Sequence, residues 1–291
     1  MTLRPRRSVL YMPGSNARAL EKAQTLTADT LVFDLEDAVV PDQKEAAREQ
    51  VLAAVNTGGY GDREVVVRVN GFDTRWGRDD IVCFANAPIA ALCLPKVESA
   101  EEVNAVAQLL KQENSTLKLW LMAETPRGIL NIDEICGAHG RVDVIVMGTS
   151  DLAKELRVAH TPDRLGLQTS LQLCLLAARA HGLDILDGVY LDIKDDTGFA
   201  AACEQGVALG FDGKTLIHPS QLEKANEAFA PTADAVDRAG RILEAWKAAE
   251  AEGKAVAVVD GKLVENLHVA EAERHLAIAE AIRLGRRMSG V

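Results

Sequence analysis

"ADTLVFDLEDAVVPDQKEAAREQVLAAV", residues 28–55, sets a pattern that repeats along the chain. A short apolar run, "TLVF", leads into three carboxylates, Asp34, Glu36 and Asp37, and then into a helical pattern opening at "DQKEAAR". Short runs rich in Val, Ile and aromatic residues read as strands, and apolar residues spaced three and four apart read as helices. Comparable runs recur as "SVLYMPG", "EVVVRVNG", "AALCLPK", "LKLWLMAE", "VDVIVMG", "ILDGVYLDI" and "FDGKTLIHP", which with the first makes eight candidate strands. Between them lie helical segments such as "SAEEVNAVAQLLKQ" and "SLQLCLLAARAHG", the second closing on the Gly that a helix C-terminus favours. Regular alternation predicts parallel strands joined by crossover helices, and eight such units predict an α/β fold of the TIM (β/α)8 barrel type. The competing open, doubly wound sheet is disfavoured because no G-x-G-x-x-G follows any strand.

The predicted barrel occupies residues 1–230. Residues 231–291 form a C-terminal extension: a helix in "TADAVDRAGRILEAWKAAEAEG", a hairpin around Asp260-Gly261 and a helix in "HVAEAERHLAIAEAIRLGRR". It is expected to pack on its own barrel or on a neighbouring subunit. The 291 residues carry a net charge of -11, which argues against a nucleic-acid surface. Five scattered cysteines with no C-x-x-C pair read as reduced thiols of a cytoplasmic protein. No segment approaches the roughly 20 apolar residues of a membrane helix, and the basic start "MTLRPRRSVLYMPGSN" is too short in apolar content for a signal peptide.

Barrel sites lie at the C-terminal ends of the strands, and here those ends are polar in an orderly way. The second strand ends in Asp34, Glu36 and Asp37, the third in Arg68 and Asn70, the fourth in Lys96, the fifth in Glu124; the sixth runs through "MGTSD" to Asp151, and the eighth ends in His218. Glu124 and Asp151, with no His or Cys beside them, are oxygen ligands of the kind that hold Mg2+ or Mn2+ together with waters and substrate. Arg68 would orient a carboxylate or stabilise an oxyanion. Each acid also has a purely structural reading: Glu124 precedes a helix opening on Thr125-Pro126, and Asp151 sits in a helix's first turn. In "MPGSNARALEKA", Ser15 or Asn16 is an N-cap, and Arg18 and Lys22 share a face that suits either a phosphate or solvent. Lys96 beside Pro95 could form a Schiff base only if desolvated, and His218 before Pro219 reads as structural.

These motifs, in this order, resemble the citrate lyase beta-subunit-like family, which includes malyl-CoA and citramalyl-CoA lyases within the HpcH/HpaI aldolase group. The matching pieces are "RRSVLYMPGSN", "FDLEDAVVPDQKEAAR", "VVVRVNG", "LPKVES", "AETPRGILN", "MGTSDL", "YLDIKDDTGF" and "GFDGKTLIHPSQ". The resemblance implies a (β/α)8 barrel assembled as trimers or hexamers, an acyl-CoA substrate, and Mg2+ held by Glu124 and Asp151. It further implies that Arg68 contacts substrate, that Glu36 and Asp37 hold metal-bound waters, and that Arg7, Ser15 and Lys22 lie near substrate or the CoA nucleotide. Where many relatives carry an aspartate in a tail motif like G-x-M-I-D, the run here is "GKLVENLH", which puts Glu265 in the place of an acid-base group donated to a neighbouring subunit.

The expected reaction is a Mg2+-dependent retro-Claisen cleavage of a 3-hydroxy dicarboxylic acyl-CoA, with Arg68 stabilising the enolate, Glu265 protonating it, and backbone N–H groups of Gly148, Thr149 and Ser150 receiving a carboxylate. The leading substrates are (S)-citramalyl-CoA, giving pyruvate, and (3S)-malyl-CoA, giving glyoxylate. The alternatives are malyl-CoA hydrolysis, a citrate lyase beta subunit acting on a carrier-bound citryl thioester, and a barrel kept only for binding or assembly.

Overall fold

The computed structural model describes residues 4–288. Eight parallel strands, β1 (Ser8–Pro13), β2 (Thr30–Asp34), β3 (Glu64–Arg68), β4 (Ala91–Leu94), β5 (Lys118–Ala123), β6 (Val142–Met147), β7 (Asp184–Asp187) and β8 (Gly213–Leu216), close into a barrel in sequence order, with β8 pairing back onto β1. Helices α1 (Ala17–Ala23), α2 (Lys44–Thr57), α3 (Gly77–Phe84), α4 (Ala100–Gln112), α5 (Pro126–Leu130), α6 (Ile132–Gly137), α7 (Thr149–Leu156), α8 (Gln168–Ala180), α9 (Asp196–Leu209) and α10 (Leu222–Ala228) fill the crossovers and cover the last strand.

Strand alternation splits the apolar side chains into two layers. Val9, Val32, Val66, Cys93, Trp120, Met122, Val144, Val146 and Leu186 pack along the barrel axis. Leu31, Phe33 and Leu35 point the other way, into the larger layer between sheet and helices. Phe33 is fully buried there, and cutting it to Ala would cost about 3 to 5 kcal/mol through lost burial and a residual cavity. The β8–β1 seam closes tightly: a Cβ on Gly213 would lie 1.8 Å from the Arg6 carbonyl oxygen, so only glycine lets the two strands meet.

Below this core the N-terminal mouth is sealed by Arg6. Its guanidinium pairs with Glu64 at 2.8 Å, Asp143 at 2.6 Å and Asp184 at 2.7 Å, and lies 5.2 Å from the Trp120 ring centroid. The opposite, C-terminal mouth is therefore where side chains are free to work.

Strand β7 is shorter than "ILDGVYLDI" suggests. It ends at Asp187, whose buried carboxylate takes Lys214 Nζ at 2.7 Å, Arg164 Nη1 at 2.5 Å and the Gly188 N–H at 2.9 Å. That demand turns the chain away from the ladder, and Leu191 and Ile193 end up exposed.

Residues 6–229 form one compact unit and residues 230–288, with 4–5, a second. The second contains α11 (Ala233–Ala251), an antiparallel pair β9 (Ala257–Val259) and β10 (Lys262–Val264), and α12 (Asn266–Met288). The turn between β9 and β10 places Asp260 at φ 52 and Gly261 at φ 71, the two left-handed residues that an Asp-Gly hairpin turn supplies. Ala239, Ile242, Val259, Val264 and Val269 lie in this unit's own small core.

Candidate active site

Strand β3 delivers Arg68 as its last residue, in register with Asp34 at the end of β2. The guanidinium meets Asp34 in a two-pronged pair, Nε to Oδ1 at 2.7 Å and Nη2 to Oδ2 at 2.6 Å, with both groups buried. Its remaining nitrogen, Nη1, reaches Glu36 at 3.1 Å and Asp37 at 3.6 Å. Underneath, the Tyr11 ring lies 4.9 Å from the guanidinium carbon. Burial by itself would raise the Asp34 carboxyl, but Arg68 and the N–H groups of Glu36 and Ala38 hold it below the usual range. The same N–H bonds, at 2.9 and 3.1 Å, fix the backbone that carries Glu36 and Asp37. Lys44 completes that clamp from the start of α2, donating to the carbonyls of Leu35 at 2.9 Å and Glu36 at 2.8 Å.

Across the mouth, Glu124 follows β5 and is only 2% exposed. Its Oε1 accepts the Lys96 backbone N–H at 2.8 Å, while a Cβ on Gly148 would sit 2.2 Å from Oε2. Gly148 thus makes the cradle in which this carboxylate lies. Burial pushes the Glu124 carboxyl up to about 7, with Arg68 and the Lys96 N–H only partly opposing it. Asp151 projects from the first turn of α7. Lys96 joins the two sides: Nζ bonds to Glu36 and lies 3.8 Å from Asp37 and 3.6 Å from Asp151.

The carboxylate oxygens of Glu124 and Asp151 suit a hard divalent cation. Among the described residues no three acid, His or Cys side chains converge tightly enough to cage an ion unaided. A cation held by Glu124 and Asp151 would therefore keep waters or substrate oxygens on its other positions, as Mg2+ does readily. The Ser150 hydroxyl, buried with no hydrogen-bond partner among the described residues, is a further polar atom at the same helix start.

Gly148 and Arg7 are placed otherwise than expected, and the remaining named positions lie as follows. The Gly148 N–H is already committed to the Ala123 carbonyl at 3.1 Å, so it is not available to a substrate carboxylate. The first bond inside α7 is from Leu152 to Gly148, which leaves the N–H groups of Thr149 and Ser150 ahead of it. Arg7 lies at the wrong mouth. It precedes β1, about 20 Å from the site at strand rise, and is bound to both oxygens of Asp29 at 2.8 and 2.7 Å. Asn70 turns to Asp80, at 2.6 Å, rather than to the site. Lys96 lacks the desolvation that a Schiff-base amine needs: its side chain is 43% exposed, and the carboxylates around it raise its pKa against the effect of burial. Ser15 is exposed just past β1, Asn16 takes the N-cap role by accepting from Ala19, and Lys22 is exposed in the last turn of α1. Glu265 is exposed in the second unit, where its N–H donates to His268 Nδ1 at 3.0 Å. His218 caps its own turn through Ser220, as a structural residue would.

Residues 7–219 match the family described as HpcH/HpaI aldolase/citrate lyase. The chain belongs to that family. As a member it is an enzyme of a carbon–carbon lyase lineage, and its barrel is the family's fold. One relative, named (3S)-malyl-CoA thioesterase, from Cereibacter sphaeroides, is 56% identical over 278 residues, covering 96% of each chain. The citrate lyase subunit beta of Escherichia coli (strain K12) is 34% identical over 284 residues, covering 95% of this chain and 94% of that one. Among solved structures, the protein CitE from Mycobacterium tuberculosis, in complex with magnesium, acetoacetate and coenzyme A, superposes with a TM-score of 0.77 at 30% identity, covering 96% of this chain and 100% of that one.

Lys44 and the anchoring role of Asp34 were not evident from the sequence. Lys44 looks like an ordinary first-turn residue of an amphipathic helix, and only the curl of the chain over residues 35–41 brings its amine back to the strand end. Asp34 carried one signal, its period-2 match to Arg68 on the adjacent strand.

Proposed function

We propose that this enzyme hydrolyses the thioester of a 3-hydroxy dicarboxylic acyl-CoA, with (3S)-malyl-CoA as substrate, Mg2+ as cofactor, and malate and free CoA as products. The observation that carries this reading is the near-full-length likeness to the malyl-CoA thioesterases, well above that to the citrate lyase beta subunits. Glu124 and Asp151 are the metal ligands in this reading, and Mg2+ would supply positive charge to the substrate's hydroxyl and carboxylate oxygens. The N–H groups of Thr149 and Ser150 orient that carboxylate at the start of α7. Glu36, half-buried between Arg68 and Lys96 and raised by burial, takes the proton of the attacking water. Arg68 stabilises the oxyanion that forms at the thioester carbonyl. The carbon–sulfur bond then breaks, and the thiolate of CoA receives the proton that Glu36 removed. Ser15 and Lys22 lie toward the CoA nucleotide.

A second reading is favoured by family membership. The same constellation performs retro-Claisen cleavage to glyoxylate and acetyl-CoA, or to pyruvate from (S)-citramalyl-CoA, if Arg68 stabilises an enolate and Glu265 of a neighbouring subunit protonates it. That route requires a trimer or hexamer in which the second unit reaches an adjacent barrel. The deciding experiment supplies purified enzyme with Mg2+ and (3S)-malyl-CoA, and follows free thiol and glyoxylate together. Thiol with malate supports hydrolysis. Glyoxylate with acetyl-CoA replaces it by the lyase reading, and turnover of neither, with (S)-citramalyl-CoA also left uncleaved to pyruvate, sinks both.

A further inference from the structure

We infer that Lys96 is a built-in competitor for the metal site, a positioning residue whose ammonium sets how tightly the acids bind a divalent cation. This rests on the reading of Glu124 and Asp151 as metal ligands. Two features of Lys96 are unusual. Its backbone is left-handed, at φ 50, a conformation that a lysine adopts only against steric cost. That conformation presents its N–H to Glu124 at 2.8 Å and at the same time sends the side chain over the mouth. There the ammonium bonds to Glu36 and lies within 3.8 Å of Asp37 and 3.6 Å of Asp151. One residue thereby touches one candidate ligand by its backbone and the other by its charge.

A cation bound to Asp151 and this ammonium compete for the same oxygen. Lys96 also relieves the repulsion among Glu36, Asp37 and Asp151 that a metal would otherwise relieve. Both effects weaken metal binding, so loss of the charge strengthens it. A lysine that merely holds the acids in place predicts the reverse, because the acids would splay without it. The amine is partly solvated, its side chain 43% exposed, so the effect is a fraction of the full Coulomb interaction.

Lys96→Asn separates the alternatives, since Asn is neutral, tolerates the left-handed backbone and keeps the N–H to Glu124. Lys96→Arg keeps the charge. Mg2+ affinity is measured by calorimetry and Mn2+ affinity by paramagnetic resonance, without substrate, on variants whose circular dichroism and Tm match the parent. The expected result is binding at least about tenfold tighter in Lys96→Asn, and within about threefold of the parent in Lys96→Arg. Unchanged or weaker binding in Lys96→Asn, with normal binding in the parent, overturns the role of Lys96 alone. If neither protein binds metal while Glu124→Gln behaves like the parent, the metal reading fails and this inference with it.

Discussion

Removing Asp34 tests how the site is held together. Asp34→Ala leaves the Arg68 guanidinium, 7% exposed, without the partner that meets it at 2.7 and 2.6 Å, and with the more distant Glu36 and Asp37 as its nearest described acids. Breaking a buried pair on one side costs about 3 to 5 kcal/mol, because the surviving charge stays desolvated. For a chain of this size 3 kcal/mol corresponds to a fall in Tm of about 6 to 12 °C. Asp34 also accepts the N–H groups of Glu36 and Ala38, so the single variant mixes two effects and a double-mutant cycle is needed. Urea unfolding of Asp34→Ala, Arg68→Met and the double variant should show the double variant more stable than the sum of the singles implies, by about 2 kcal/mol or more. Strict additivity, within about 0.5 kcal/mol, would refute the pairing argument. The pH dependence has a fixed sign. A carboxyl held below its unfolded value stabilises the fold above that value, so the contribution is present above about pH 4 and is lost as pH falls through the folded pKa. The cycle's coupling energy should shrink in acid and stay constant from pH 5 to pH 8.

Three other outcomes follow from the same geometry. Glu124→Gln should stabilise the protein in EDTA at pH 8, since the parent keeps a carboxyl raised from 4.5 to about 7 and loses roughly 3 kcal/mol of stability as pH rises between those values; calorimetry should also show the Mg2+-induced rise in Tm abolished. Gly148→Ala should weaken Mg2+ binding and lower kcat about a hundredfold with the fold retained, because its Cβ would lie 2.2 Å from Glu124 Oε2; normal affinity by calorimetry would argue against that carboxylate as a ligand. Asp187→Ala should cost about 3 to 5 kcal/mol in urea unfolding, since it strands the buried Lys214 and the largely buried Arg164 at once.

The barrel was legible because each strand is a short apolar run between turn signals, and the inner and outer layers of β2 follow from period 2 alone. Where the sequence misled, a polar side chain had diverted the chain or a donor already had a partner. Asp187 ends β7 early by gathering Lys214, Arg164 and its own neighbour's N–H, which no periodicity shows. The Gly148 N–H looks free in a helix-start motif but belongs to the sheet ladder with Ala123. Arg7 sits in the same run as Tyr11, whose ring lies beside Arg68, yet a strand has two ends and a string of letters does not say which one a flanking residue occupies. The partnership of Lys44 with residues 35 and 36 depends on a curl of the loop that has no pattern of its own.

The charges around the mouth tie these observations to chemistry. Five carboxylates, Asp34, Glu36, Asp37, Glu124 and Asp151, face two cations, Arg68 and Lys96, and Asp34 already takes two prongs of the arginine. Toward the proposed substrate, an acyl-CoA whose acyl end is itself a carboxylate, this negative balance would be repulsive, and most so once Glu124 ionises above about pH 7. In the proposed reading, a divalent cation held by Glu124 and Asp151 would reverse that, leaving Arg68 and the start of α7 to meet the substrate's oxygens. On that reading the dependence is steep, because the acids that would attract the metal are the ones that would exclude the substrate without it. Substrate affinity measured by calorimetry on the Glu124→Gln variant should therefore be lost with or without Mg2+, whereas the parent should bind only when Mg2+ is present; equal binding by the parent in EDTA would mean that the acids do not guard the mouth at all.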